Sequence, residues 1–347
     1  MTQPRFDLIG IGNAIVDVVA PADHQFLSRH GMHPGSMALI DADRAQALYA
    51  AMPPGQESSG GSVANSCAVA AALGARVAYI GKVADDALGA TFRADIAAAG
   101  VHFPTPPLVG GAPTARCLIL VTEDGQRTMN TFLGASVAFA EPDIDTDLIA
   151  ASAVVYLEGY LFDPPAAQAA FRAAARAARA AGRQVALSLS DAFCVDRHRD
   201  AFRGLLPDVD ILFANEAEIC SLYEANDFMD AAEAAAKDVT LAALTRSEAG
   251  SLILRGKERV AVPAEPATVV DTTGAGDAYA AGFLTAYTAG RDLAACARLG
   301  SLAAAEIISH YGARPLADLS GLLNKKSVGF WNCQKISRYP PEDVKPT

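Results

Sequence analysis

Asp271-Thr272-Thr273-Gly274-Ala275-Gly276-Asp277-Ala278-Tyr279-Ala280-Ala281-Gly282-Phe283 is the stretch on which the reading of this chain turns. It follows a β-like run, Ala267–Val270, and opens a helix predicted over Ala275–Ala289. Gly274 and Gly276 let the backbone come close to a ligand. The first N–H groups of a helix have no intrahelical partner, so those of Gly274, Ala275 and Gly276 can hold an anion. Asp277 falls in the same first turn. An anion hole beside a carboxylate suits phosphoryl transfer: the N–H groups stabilise the transferring charge and the carboxylate takes the hydroxyl proton. A carboxylate at a helix N-terminus is expected to be a weak base. Positioning matters more than basicity in a loose transfer, so that is tolerable. Two glycines alone would equally fit an ordinary helix start with a favourable first-turn Asp.

Working outward, β-rich runs alternate with alanine-rich helical runs. Strands are predicted at Phe6–Gly12, Arg76–Gly81, Val154–Glu158, Gln184–Leu189, Ile211–Phe213 and Val239–Leu244. Helices are predicted at Ala64–Leu73, Ala87–Ala99, Pro165–Ala181, Glu216–Tyr223 and Leu293–His310. The alternation implies an α/β fold with a doubly wound, mainly parallel sheet flanked by helices. Two regions break the rhythm, about 14–40 and 113–133. The second holds two β-rich runs, Arg116–Thr122 and Arg127–Leu133, around Glu123-Asp124-Gly125, a hairpin pattern. Together they are expected to form a small antiparallel sheet acting as a lid. Residues 1–319 thus read as one domain. Residues 320–347, Lys-rich and then Pro-rich, read as a loosely ordered tail or an end foreign to the natural chain.

The chain has 347 residues, half of them hydrophobic, enough for one large core. Its net charge of −11 argues against nucleic acid or an anionic membrane as a partner. Six cysteines lie far apart without a C-x-x-C pair, and no signal-peptide pattern is present, so reduced thiols and a cytoplasmic location are expected. His30 and His33 sit in a Gly- and Pro-rich stretch without an acidic or Cys partner and read as loop residues.

A second glycine-rich segment is Ser59-Gly60-Gly61-Ser62-Val63-Ala64-Asn65, followed by Leu73-Gly74-Ala75 and Ile80-Gly81-Lys82-Val83-Ala84-Asp85-Asp86-Ala87-Leu88-Gly89. Gly60 and Gly61 again admit a ligand to backbone, and Asn65 offers a hydroxyl both a donor and an acceptor. These two segments resemble the two signatures of the ribokinase/PfkB carbohydrate kinase family, and the resemblance runs from about Phe6 to Leu319. Gly10-Ile11-Gly12-Asn13-Ala14-Ile15-Val16-Asp17 resembles the start of its adenosine kinases, as does Leu187-Ser188-Leu189-Ser190-Asp191-Ala192-Phe193 a later stretch. Asn215-Glu216-Ala217-Glu218 is similar to the family's N-x-x-E motif.

The resemblance implies a ribokinase-like fold and ATP-dependent phosphorylation of the primary hydroxyl of a nucleoside, adenosine foremost, or else of a free sugar. Asp277 would be the base and Arg127 would lie near the transferred phosphoryl. Asp17, Gly60, Gly61 and Asn65 would hold sugar hydroxyls, with Asn13 near the nucleoside. ATP would lie along Gly274 and Gly276, with Asn215, Thr245, Ser247 and Gly250 along its path. Mg2+ would sit near Asn215 and Glu218 through waters, and K+ near Asp271 and Thr273. Two departures stand out. Thr245-Arg246-Ser247-Glu248-Ala249-Gly250 has Ser where the family's phosphate loop has Gly. Gly159-Tyr160-Leu161-Phe162 puts Leu161 where adenosine kinases stack the base on an aromatic ring, leaving Ile15, Met129 and Leu133 as the candidate base pocket. Asn215 with Glu218 also reads as a plain helix cap, and Arg127 as a hairpin surface charge. The expected assembly is a monomer or homodimer. A catalytically silent nucleotide-binding regulator is the reading that retained Asp277 opposes.

Overall fold

The structure is a computed structural model and describes residues 4–324. The run Phe6–Ile11 is apolar at nearly every position because its strand is covered on both faces. Leu8 enters one core with Val77, Val154 and Phe213, while Ile9 and Ile11 enter a second with Val155 and Leu187. The sheet between these cores has nine strands. In order they are Glu258–Val262, Ser251–Arg255, Leu241–Thr245, Ile211–Asn215, Gln184–Ser188, Ser152–Glu158, Phe6–Ile11, Val77–Ile80 and Val101–His102. All neighbours pair in parallel except the first two pairs, which are antiparallel. The fold is therefore ribokinase-like α/β, with a mainly parallel sheet flanked by helices.

Strand order reverses at Phe6–Ile11. From there the chain proceeds first to Val77–Ile80 on one side and later to Ser152–Glu158 on the other. Such a switch point opens a crevice at the carboxyl ends of the strands, where α/β proteins bind ligands.

A second, smaller sheet has five strands in the order Met37–Leu39, Arg127–Phe132, Ala115–Val121, Ile15–Pro21 and Gln56–Gly60. It departs from the expected antiparallel sheet in two ways. Ile15–Pro21 runs parallel to Ala115–Val121, and Met37–Leu39 runs parallel to Arg127–Phe132. The strand Gln56–Gly60 comes from outside the two anticipated regions. Gln-Glu-Ser-Ser-Gly has no strand propensity of its own, and pairing with Ile15–Val19 makes it a strand. Within the first region the helix His24–Arg29, capped by Asp23, interrupts the strands.

The β-like Ala267–Val270 is not a strand. Pro263 and Pro266 separate it from the sheet edge, and the Val270 N–H instead donates to the Ile308 carbonyl at 2.8 Å. The helices Ser62–Ala72, Ala275–Thr288 and Leu293–Ile307 pack on one face of the large sheet. Most of the expected tail, residues 325–347, lies outside the described residues. Among the described residues, no helix is long and apolar enough to cross a membrane.

Candidate active site

Gly274 caps the helix Ala275–Thr288 with φ +78°, a conformation few residues but glycine adopt. A Cβ there would come within 2.6 Å of the Ala313 Cβ. Ala278 is the first residue to close a helical bond, to the Gly274 carbonyl at 2.9 Å. The N–H groups of Gly276 and Asp277 precede it and have no intrahelical acceptor. The Ala275 N–H, expected in the anion hole, donates instead to the Thr272 carbonyl at 3.2 Å. A Cβ on Gly276 would meet nothing within 4 Å, so the space before it is open.

Asp277 is tied to the second glycine-rich segment. Ser62 Oγ donates to its Oδ1 at 2.5 Å, and Asn65 also hydrogen-bonds to it. Burial, with a smaller push from Asp17, raises its pKa to about 7 against the downward pull of Ser62, Asn65 and Arg314. Burial thus outweighs the helix dipole, and Asp277 is a stronger base than its position in the helix alone implies.

Asp17 faces this region from the second sheet. Its carboxylate lies over Gly60, where any Cβ would fall 2.3 Å from Asp17 Oδ2. Burial raises the Asp17 pKa to about 6 against the opposing charges of Arg314 and Arg127. Gly61 adopts φ +98°, and a Cβ there would strike the Asn13 carbonyl at 2.1 Å. Ile15 lies on the same sheet face as Asp17, two residues away. Met129 pairs across to Ile119 and Met37, and Ile119 pairs to Val19, on that same face. Ile15, Met129 and Leu133 are half-buried. Met37 and Leu39 stand 54% and 59% exposed on the edge strand of this sheet. The sequence reading missed both, because a three-residue strand carries too little pattern to place.

Behind Asp17, at the switch point, lies a buried knot also missed from sequence. Glu158 Oε1 accepts from Asn13 Nδ2 at 2.8 Å and from the Asn13 N–H at 3.2 Å, and its Oε2 accepts from the Val63 N–H at 2.9 Å. Glu158 is 1% exposed, and burial pushes its pKa up to about 7. Asn13 Oδ1 is buried without a partner, an acceptor left for a ligand's donor. The legible signal was an acidic residue ending an apolar strand. Arg314 is a further omission. It donates to the Ser59 carbonyl at 2.6 Å, to Ser59 Oγ at 2.8 Å and to the Ala64 carbonyl at 3.3 Å.

At the start of the helix Glu216–Tyr223, Asn215 and Glu218 form a closed capping box. Glu218 Oε2 accepts from the Asn215 N–H at 2.9 Å and Oε1 from Asn215 Nδ2 at 2.6 Å, while Asn215 Oδ1 accepts from the Glu218 N–H at 2.9 Å. Glu218 keeps unused lone pairs, so it fits an outer-sphere role toward Mg2+. Burial, helped by the charges of Asp191 and Asp277 and opposed by the Asn215 N–H, raises its pKa to about 7.

Thr245 ends its strand, and Ser247 adopts φ +49°, supplying the left-handed turn for which glycine is usual. Gly250 has φ +84°, and a Cβ there would strike the Val262 carbonyl at 2.1 Å. Asp271 offers no open lone pair to the cation expected beside it and Thr273 while Arg127 is bonded to it. Asp271 Oδ1 accepts from the Thr273 N–H at 3.0 Å and Thr273 Oγ1 at 2.7 Å, and Oδ2 accepts from the Gly312 N–H at 3.1 Å and from Arg127 Nη1. Every lone pair is used. Arg127 is therefore a buried ion-pair partner of Asp271, with side chains 10% and 7% exposed, and not a surface charge.

Leu161 is 1% exposed and belongs to the core, whereas Tyr160 is 38% exposed. Desolvation raises the pKa of the Tyr160 phenol, and the charges of Asp191, Asp277 and Glu218 add smaller pushes in the same direction. The outward aromatic is therefore Tyr160, one residue before Leu161.

The chain matches the family model "pfkB family carbohydrate kinase" over residues 36–318. Its structure superimposes on the adenosine kinase of Sinorhizobium meliloti with a TM-score of 0.84 and 54% identity, covering 92% of this chain and 99% of that one. It is similar to a probable sugar kinase protein from Rhizobium etli CFN 42, with a TM-score of 0.85 and 48% identity, covering 93% and 98%. It is 28% identical to the adenosine kinase of Saccharomyces cerevisiae over 337 residues, 90% of this chain and 96% of that one. The helix start with its carboxylate and the chain-wide match agree: the chain belongs to the pfkB family of carbohydrate kinases, phosphotransferases with an alcohol group as acceptor.

Proposed function

We propose that this kinase transfers the terminal phosphoryl of ATP to the 5′-hydroxyl of a nucleoside, adenosine first among them. The observation that carries the nucleoside reading is the face around Asp17. A free sugar needs hydroxyl partners only. Here Ile15, Met37, Leu39 and Met129 share the sheet face of Asp17, Leu133 follows on the same hairpin, and Tyr160 is the outward-turned aromatic ring. Such a surface suits a base attached to the sugar.

The ribose would place its vicinal hydroxyls on Asp17, with Gly61 and Asn65 beside them and Asn13 Oδ1 accepting from the nucleoside. Its primary hydroxyl would face Asp277, which takes the proton as the new O–P bond forms and the bond to the departing ADP breaks. The N–H groups of Gly276 and Asp277 would face the transferring phosphoryl. Arg127 would join them on leaving Asp271. Asn215, Thr245, Ser247 and Gly250 would line the nucleotide, with adenine toward the helices Ala275–Thr288 and Leu293–Ile307. Mg2+ would neutralise phosphate charge, with Glu218 oriented toward its waters.

The test is ATP consumption with adenosine, inosine, guanosine, ribose and fructose under one set of conditions. Adenosine is expected to give the highest kcat/KM. A free sugar preferred by about tenfold would replace the nucleoside reading with a sugar-kinase one. No turnover with any acceptor would leave a nucleotide-binding regulator.

A further inference from the structure

The site holds more buried acid than its chemistry uses. Asp17, Asp277 and Glu158 crowd the acceptor side, and Glu218 reaches Asp277 by its charge. Two guanidiniums reach Asp17, those of Arg314 and Arg127. Arg127 is already paired to Asp271. Among the described residues, no carboxylate lies within ion-pair distance of Arg314. Its charge is shared among Asp95, Asp17 and Asp277.

Its hydrogen bonds are equally directed. The guanidinium comes from the loop after the helix Leu293–Ile307 and bonds residues 250 and 255 positions away. All three acceptors lie at the two ends of one short segment, Ser59–Asn65. That segment carries Gly60 under Asp17, Gly61, and the Ser62 and Asn65 that bond Asp277. Asp95 completes the clamp from the helix Ala87–Ala98. Its Oδ2 accepts from the Ser59 N–H at 2.8 Å and from Ser59 Oγ at 2.5 Å.

We propose that Arg314 is a positioning residue for phosphoryl transfer. Its guanidinium fastens Ser59–Asn65 against the helix start bearing Asp277 and supplies the standing positive charge among the acceptor-side carboxylates. Without that charge, Asp277 and Asp17 repel each other and each holds its proton more tightly. The other groups around Asp277 are Ser62 and Asn65 from the helix Ser62–Ala72, Glu158 and Tyr156 from the neighbouring strand, and Tyr160 and Glu218 beyond it. None of them is a cation. The inference rests on Asp277 as the base.

The experiment measures kcat and acceptor KM from pH 5.5 to 9.5 for the full chain, with the best acceptor found. The variants are Arg314→Met, Arg314→Lys and Asp277→Asn. Arg314→Met is expected to lower kcat at least tenfold at pH 7. Its ascending limb should move to higher pH by about one unit, so that the loss shrinks as pH rises. Arg314→Lys keeps the charge and loses the fork. Its limb should stay near that of the wild type, while acceptor KM rises several-fold. A limb unmoved in Arg314→Met, or wild-type kcat and KM in Arg314→Lys, overturns the proposal. If the methionine variant does not fold, the lysine variant alone decides it through KM. Asp277→Asn separates the two levels: if it keeps wild-type turnover, the underlying assignment of the base fails, whatever Arg314 does.

Discussion

Ser62 Oγ donates to Asp277 Oδ1 at 2.5 Å across 215 positions of sequence. The bond joins the starts of two helices, Ser62–Ala72 and Ala275–Thr288, that pack side by side on one face of the sheet. Each start carries its own glycines, and each is half of one site. The bond also holds the Asp277 carboxylate in place across the two helix starts.

Asp277→Asn preserves the first turn, since Asn is accepted there as Asp is. Turnover is expected to fall by about 100-fold or more, the scale of a lost general base. The same variant should melt at a higher temperature than the wild type at pH 8, because it removes a buried charge. Steady-state kinetics and thermal melts on one preparation check both.

The pH dependences of activity and stability should oppose each other. Asp277 must be ionised to act, so kcat should rise with pH through about 7. For stability the sign is reversed. Asp17, Asp277, Glu158 and Glu218 have folded pKa values raised to about 6 or 7, above those of an unfolded chain. Between about pH 4 and 7 the folded state therefore binds more protons, and these groups make it less stable as pH rises. Denaturant melts at pH 5.5 and 8 should show the loss, and Asp277→Asn should reduce it.

Gly274 and Gly276 should separate structure from chemistry. Gly274→Ala forces a left-handed alanine against Ala313 and is expected to cost roughly 2 kcal/mol or more of stability. Gly276→Ala has room in the protein and should melt like the wild type. Its Cβ would meet only a bound phosphate, so kcat/KM should fall by about tenfold or more. Unchanged kcat/KM would count against the anion hole.

Ser247 holds φ +49° in the loop after Thr245. Ser247→Gly relieves that conformation at some cost in unfolded-chain entropy, for a net gain of about 0.5–1 kcal/mol. The KM for ATP should not change if the backbone path is already that of the glycine. Chemical denaturation with an ATP titration tests both halves.

Asp17→Asn should raise acceptor KM by about 10- to 100-fold, the scale of a lost charge-assisted hydrogen bond. For 2′-deoxyadenosine the same substitution should cost much less, since one of the paired hydroxyls is already absent. Equal losses with both acceptors would remove the hydroxyl-clamp role from Asp17.

The sequence by itself determined the strand–helix alternation, the parallel sheet and the two glycine-rich helix starts. Those features are local: apolar periodicity, and glycines where a positive φ or a close contact leaves no room for a side chain. It could not show that Gln56–Gly60 is a strand, because pairing with Ile15–Val19 makes it one. Nor could it show that Met37 and Leu39 stand exposed on the Asp17 face of the second sheet, or that Tyr160 rather than Leu161 turns outward, because facing depends on what packs behind. Arg314, Glu158 and the Arg127–Asp271 pair are decided by contacts between distant segments. The basicity of Asp277 belongs with them. Its place in the first turn of a helix favours a low pKa, and only the tertiary burial that brings Asp17 and Glu158 near raises it to about 7.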